Sequence, residues 1–147
     1  MKEIQKIFIC FSLIFGIFSN AQSIDINEIE AKLVEQPKHL VIKFSTEWCG
    51  ICKIQDRRIE KSEELKEILS ERIYFIEFDA ETKESFQLLG KAFRGQPHGM
   101  HEFAEILLEG ETIYPAWVIL NSDLEIIFKY TGLLKSKELI SIFTQIL

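Results

Sequence analysis

Lys43-Phe44-Ser45-Thr46-Glu47-Trp48-Cys49-Gly50-Ile51-Cys52-Lys53 is the stretch on which the reading of this chain turns. The apolar run Leu40 to Phe44 leads into a short polar turn, and the turn delivers two cysteines spaced C-x-x-C. From Ile54 onward the apolar spacing is helical. A strand that feeds a C-x-x-C at the start of a helix is a redox arrangement for a physical reason. The helix N-terminus carries partial positive charge and unpaired N–H groups, which stabilise a thiolate on the first cysteine. The second cysteine, three residues later, comes round the helix to face the first. By spacing alone, a C-x-x-C also suits half of a zinc site. His98-Gly99-Met100-His101 offers an H-x-x-H that would complete a Cys2His2 set.

Working outward, Ile26, Ile29, Leu33 and Val34 predict a helix between Ser23 and Gln36, with Asp25 as its N-cap and Pro37 as its stop. Leu40 to Phe44 has the continuous apolar character of a strand buried on both faces. Beyond the cysteines, Ile54, Ile59, Leu65, Ile68 and Leu69 predict helix to about Ser70, with a fresh start at Ser62 backed by Glu63 and Glu64. Ile73 to Asp79 is rich in aromatic and β-branched residues and predicts a second strand. Strand, helix, strand implies a parallel pair with a right-handed crossover. Between Glu81 and Met100 two readings stand: a helix over Lys83 to Leu89, or a small hairpin turning at Gly90 into Lys91 to Phe93. His101 to Glu109 predicts a helix stopped at Gly110. After Tyr114-Pro115, Trp117 to Leu120 and Leu124 to Tyr130 read as a hairpin around Asn121 to Asp123. Ser136 is the expected cap of a last helix with Leu139, Ile140, Phe143 and Ile146 on its apolar face. This order describes an α/β domain, a mixed sheet with helices on both faces.

The first 21 residues are not expected to join that fold. Lys2 and Lys6 make a basic start, Ile7 to Phe18 is apolar, and Ser19-Asn20-Ala21 supplies small residues for cleavage. That is the layout of a secretory signal peptide, and its apolar run falls short of the roughly 20 residues of a membrane span. Residues 22–147 are then the expected domain, with no stable membrane span after cleavage. Cleavage removes Cys10 and leaves Cys49 and Cys52 as the only cysteines, so no structural disulfide framework remains. The expected location is periplasmic or secreted. With a net charge of −6 and no dense Lys/Arg cluster, nucleic acid is not an expected partner; Arg57-Arg58 reads as a solvated helix face.

Phe44 to Lys53 resembles the active-site stretch of the thioredoxin superfamily, usually written W-C-G-x-C-K. Pro115 falls where that family places a cis-proline facing the disulfide, and Gly132 lies near the glycine before its last helix. His101-Glu102-Phe103-Ala104, Leu107-Leu108 and Tyr114-Pro115 are similar to a group of exported thioredoxin-related proteins with an H-E-L-A helix before a Y-P-T strand. The resemblance implies a thioredoxin-like fold with an insert, residues 81–112, before the cis-proline. It also implies a thiol–disulfide oxidoreductase acting in cell redox homeostasis. Cys49 attacks a substrate disulfide and Cys52 resolves the mixed disulfide. Trp48, Gly50, Ile51, Tyr114 and Pro115 form the substrate-binding surface, and Trp117 packs in the core. Partners would be protein thiols and disulfides, with reduction preferred as the direction. A reductant in an oxidising compartment would need a membrane electron donor; no cofactor or metal is implied. The second function class is a non-catalytic peptide-binding module on the same fold.

Lys43 departs from the family, in which many members carry a buried Asp here that assists proton transfer from the resolving cysteine. A lysine either snorkels to the surface or lies near the thiols and lowers their pKa. The cost of a buried unpaired ammonium favours the first, leaving Glu47 or solvent to handle the proton. The pair Gly50-Ile51 lacks both the proline of general reductases and the histidine of strong oxidants, so it fixes no potential.

Overall fold

Alternation along three strands decides the architecture. The computed structural model describes residues 23–147; the expected signal segment lies outside the described residues. In chain order the elements are α1 (Ile29–Glu35), β1 (Leu40–Ser45), α2 (Gly50–Glu60), α3 (Glu63–Glu67), β2 (Tyr74–Asp79), β3 (Phe86–Leu88), β4 (Lys91–Phe93), α4 (Glu102–Leu108), β5 (Ala116–Leu120), β6 (Ile126–Thr131) and α5 (Ser136–Ile146). The main sheet runs β2-β1-β5-β6, with β1 and β2 parallel and the other two pairings antiparallel. A parallel pair needs a long crossover, and α2 with α3 supplies it.

Because side chains alternate along a strand, each strand feeds two cores. Leu40, Ile42 and Phe44 of β1, Tyr74, Ile76 and Phe78 of β2, and Ala116, Val118 and Leu120 of β5 face one cluster. There they meet Ile29 of α1, Phe103 and Leu107 of α4, and the β3–β4 hairpin. Val41, Phe75, Trp117 and Ile119 face the other, against Ile59 of α2, Leu65 of α3, and Leu139 and Phe143 of α5. Both faces are therefore covered by helices, as expected for the α/β thioredoxin-like fold with a mixed central sheet. Trp117 is buried, as its place on a central strand requires.

Local chemistry sets most boundaries. Asp25 accepts from the Asn27 N–H, but the turn it caps is 3-10 over Ile26–Glu28 before α1 begins. Ser62 accepts from the Leu65 N–H and starts α3, so the expected break is where the chain makes it. Of the two readings of the insert, the hairpin is the one formed. Leu89 and Gly90 both have positive φ between the paired Leu88 and Lys91, the backbone of a tight two-residue hairpin turn. Phe86, Leu88 and Phe93 are buried by it, which a helix over 83–89 would not achieve.

Two expected details are corrected. Lys135, not Ser136, is the N-cap of α5; its N–H donates to Glu138, while the Ser136 hydroxyl donates to the Arg58 carbonyl. Arg58 is not simply solvated either, since its guanidinium donates to the Leu134 carbonyl at 3.0 Å and ties α2 to the start of α5.

Candidate active site

β1 ends at Ser45, and Thr46 accepts from the Cys49 N–H at 3.1 Å to close the turn into α2. Cys49 is the N-cap, with extended backbone, and its sulfur accepts from the Cys52 N–H at 3.1 Å. The sulfur thus occupies the place where a serine or aspartate oxygen would cap a helix. Cys49 and Cys52 are joined by a disulfide, S–S 2.07 Å with Cα atoms 5.3 Å apart. Cys49 is 5% exposed and Cys52 2%, so in the disulfide state both residues are buried.

What is open lies beside them. Trp48 is 66% exposed and Ile51 51%, and a Cβ built on Gly50 would meet nothing within 4 Å. Glycine at 50 is therefore not a packing requirement. Far along the chain, the Tyr114–Pro115 peptide bond is cis. The Tyr114 ring stands edge-on to Trp48 with centroids 6.1 Å apart, which brings the proline loop to the cysteine turn. Cys49, Cys52 and Tyr114 share one apolar cluster. The structure thus brings Tyr114, beside the cis Pro115, against Trp48, which adjoins Cys49 in the turn into α2.

Sequence reasoning missed the groups that hold this surface. Glu81 accepts from the Trp48 indole N–H at 3.0 Å, and Asp79 accepts from the Glu81 N–H at 3.0 Å. Burial first, and then the Glu81 and Asp79 carboxylates, push the Tyr114 phenol above the usual tyrosine range. Gln55 is fully buried and accepts from the Leu134 N–H at 2.9 Å, fixing the rear of α2. No local pattern around Glu81 or Gln55 marks these partners, which are distant in sequence.

Lys43 does not reach the surface. It is fully buried, and its ammonium contacts the carboxylates of Asp56 on α2 and Glu77 on β2. Burial is prohibitive for an unpaired cation, and here two carboxylates pair it. One signal was available, because parallel pairing of β1 and β2 sets Lys43 opposite Glu77.

The residues do not assemble the Cys2His2 zinc alternative. His101 is fully buried as N-cap of α4, its Nδ1 accepting from the Phe103 N–H at 3.1 Å and its Nε2–H donating to the Glu84 carbonyl at 2.9 Å. Both ring nitrogens are thereby engaged, and the ring stacks on Phe86. His98 is exposed in the preceding loop.

Comparison with known proteins agrees with this geometry. The family described as "Thioredoxin-like domain" matches residues 26–147. No curated protein matches the chain. Among solved structures, the oxidoreductase DsbH is 14% identical with a TM-score of 0.58, covering 98% of this chain and 92% of its own. A thioredoxin-fold protein from Helicobacter pylori is 12% identical with a TM-score of 0.58, over 74% of this chain and 68% of the other. The oxidised C-terminal domain of DsbD from Neisseria meningitidis is 22% identical with a TM-score of 0.53, over 84% and 97%. At these identities the likeness is one of fold.

Proposed function

The chain belongs to the thioredoxin-like domain family, and from that premise we propose that it is an extracytoplasmic thiol–disulfide oxidoreductase, with Cys49 as nucleophile and Cys52 as resolving thiol. The observation that carries this reading is the Cys49–Cys52 disulfide at the N-terminus of α2, with the Cys52 N–H aimed at the Cys49 sulfur. In the reduced protein that N–H and the helix N-terminus stabilise a Cys49 thiolate. The thiolate attacks a substrate disulfide, one substrate sulfur leaves as thiolate, and a mixed disulfide forms. Cys52 then attacks the Cys49 sulfur, re-forming the internal disulfide and releasing the second substrate thiol. Two electrons pass from protein to substrate.

Substrate peptides would lie over Trp48, Gly50 and Ile51 and run beside Tyr114–Pro115, backbone to backbone. Export rests on residues 1–21, whose basic start, apolar run and small residues have the layout of a signal peptide. Reduction is the preferred direction, by resemblance to W-C-G-x-C proteins, and it requires electrons from a membrane donor because an extracytoplasmic compartment is oxidising. Among the described residues no helix is long and apolar enough to cross a membrane.

Reduction of insulin disulfides with a chemical donor tests the activity and separates it from a peptide-binding module. Cys49→Ser abolishes turnover and Cys52→Ser traps mixed disulfides; a Cys49→Ser protein that still turns over would sink the assignment. Equilibration with glutathione tests direction: a potential near about −270 mV marks a reductant and one near about −120 mV an oxidant.

A further inference from the structure

The Trp48 indole is tied to a charge that the exchange steps do not use. Its N–H donates to the Glu81 carboxylate at 3.0 Å, across 33 residues of chain. Glu81 follows the end of β2, where its own N–H donates to Asp79. Among the described residues neither Glu81 nor Asp79 forms an ion pair. Both carboxylates act on the Tyr114 phenol, so their charge lies on the side of Trp48 that Tyr114 shares. The three segments that meet here, 44–52, 79–82 and 111–117, hold no lysine, arginine or histidine; Lys53 and Lys83 are the nearest in sequence. Trp48 is 66% exposed and Tyr114 meets it edge-on, which leaves most of the indole open to a substrate. An open aromatic face attracts a cation, and donation of the indole N–H to a carboxylate adds electron density to that face.

We propose, resting on the exchange reading above, that Trp48 and Glu81 form a subsite for a basic side chain next to the substrate's cysteine, with Glu81 as a specificity-determining residue. A lysine or arginine of the substrate lays its apolar stem on the indole and brings its charged head to the Glu81 carboxylate. Trp48 adjoins Cys49 in the chain, so this docking carries the neighbouring substrate sulfur toward the attacking one. Asp79 holds the Glu81 backbone and adds its own negative field. The same charges disfavour a substrate with an acidic residue at that place, so selection works by repulsion as well as attraction. The exchange steps are unaltered: Cys49 displaces one peptide thiolate, Cys52 displaces the second, and two electrons pass to the peptide disulfide.

The test measures the second-order rate at which the reduced protein reduces symmetrical peptide disulfides. The peptides differ only in the residue next to cysteine, which is lysine, norleucine or glutamate. Rates with dithiothreitol, which has no docking surface, correct for the intrinsic reactivity of each peptide. At low ionic strength the lysine peptide is expected to exceed the glutamate peptide by about tenfold, about threefold each from attraction and repulsion at an exposed charge. In roughly 0.5 M salt the ratio should fall toward one. Glu81→Gln keeps an amide oxygen for the indole N–H and removes the charge; it is expected to cut the ratio to about threefold, and Asp79→Asn to cut it by less. A ratio below about twofold in the unaltered protein at low salt overturns the proposal. So does a Glu81→Gln protein that slows all three peptides by one factor and keeps the ratio, since Glu81 then serves only to hold Trp48. Failure of the exchange reading is seen separately, as reduction of the peptides that survives Cys49→Ser or as an unaltered protein that reduces none of them.

Discussion

His101 and Lys43 are both fully buried titratable side chains, one on each face of the same sheet, and the protein accommodates them by opposite means. His101 is kept neutral. Its Nδ1 must stay unprotonated to accept from Phe103, and its ring lies among Phe78, Phe86 and Phe103 in the cluster built by the insert. Lys43 is accommodated as an ion by bringing two carboxylates to it. The difference teaches where each group can be of use. A neutral imidazole with both nitrogens engaged fastens α4 to the loop at Glu84, whereas a paired ammonium ties β1 to α2 and β2 through Asp56 and Glu77.

Four substitutions or conditions sharpen that contrast. The largest effect is expected from Asp56→Asn with Glu77→Gln, which leaves the Lys43 ammonium buried without a compensating charge. About 3 kcal/mol of stability should be lost, the low end for an orphaned buried ion because both carboxylates are partly exposed. Denaturant unfolding measures it; a loss below about 1 kcal/mol would mean that the cation finds water. His101→Ala comes next, at about 2–3 kcal/mol, since it removes the cap, the bond to Glu84 and the stacked ring together.

Acid gives the third. Burial holds the His101 pKa below the ordinary histidine value, against the smaller opposing pulls of the Glu84 carbonyl and the Glu102 charge. The unfolded chain therefore binds the proton first, and the histidine's contribution is full above about pH 6.5 and declines as pH falls through that value toward the lower folded pKa. Melting temperatures across pH 5 to 8 should fall on the acid side in the unaltered chain. In His101→Asn, which keeps a capping oxygen without the titration, the fall should be shallower; equal slopes would remove His101 as the cause. The smallest effect is expected from Lys43→Met. A buried ion pair replaced by an apolar side chain of similar length is close to neutral, so stability measured by denaturant unfolding should change by less than about 1 kcal/mol.

The sequence was most informative where function and local geometry coincide. Cys49 and Cys52 could be placed on a strand-to-helix turn because apolar run, polar turn and helical spacing follow one another within 20 residues or so. Ser62 and Gly110 were legible as helix boundaries because capping is a short-range interaction. The insert was not resolved by pattern, since Phe86 and Leu88 fit either reading until a second layer exists for them to bury against. Lys43 was misjudged for a related reason. The cost of burying an ammonium depends on its partners, and those stand 13 and 34 residues away in the chain.

The sequence by itself therefore determined the dithiol, its helix and the order of strands, because these follow from spacing, capping and period-two burial along contiguous residues. Only the tertiary structure decided what surrounds the dithiol. Packing α2 against β1 and β2 brought Asp56 and Glu77 to Lys43, and the return of the chain at Tyr114–Pro115 set a second wall beside Trp48. Electrostatic fields and opposing surfaces act through space, and no local pattern records which distant residues will share it.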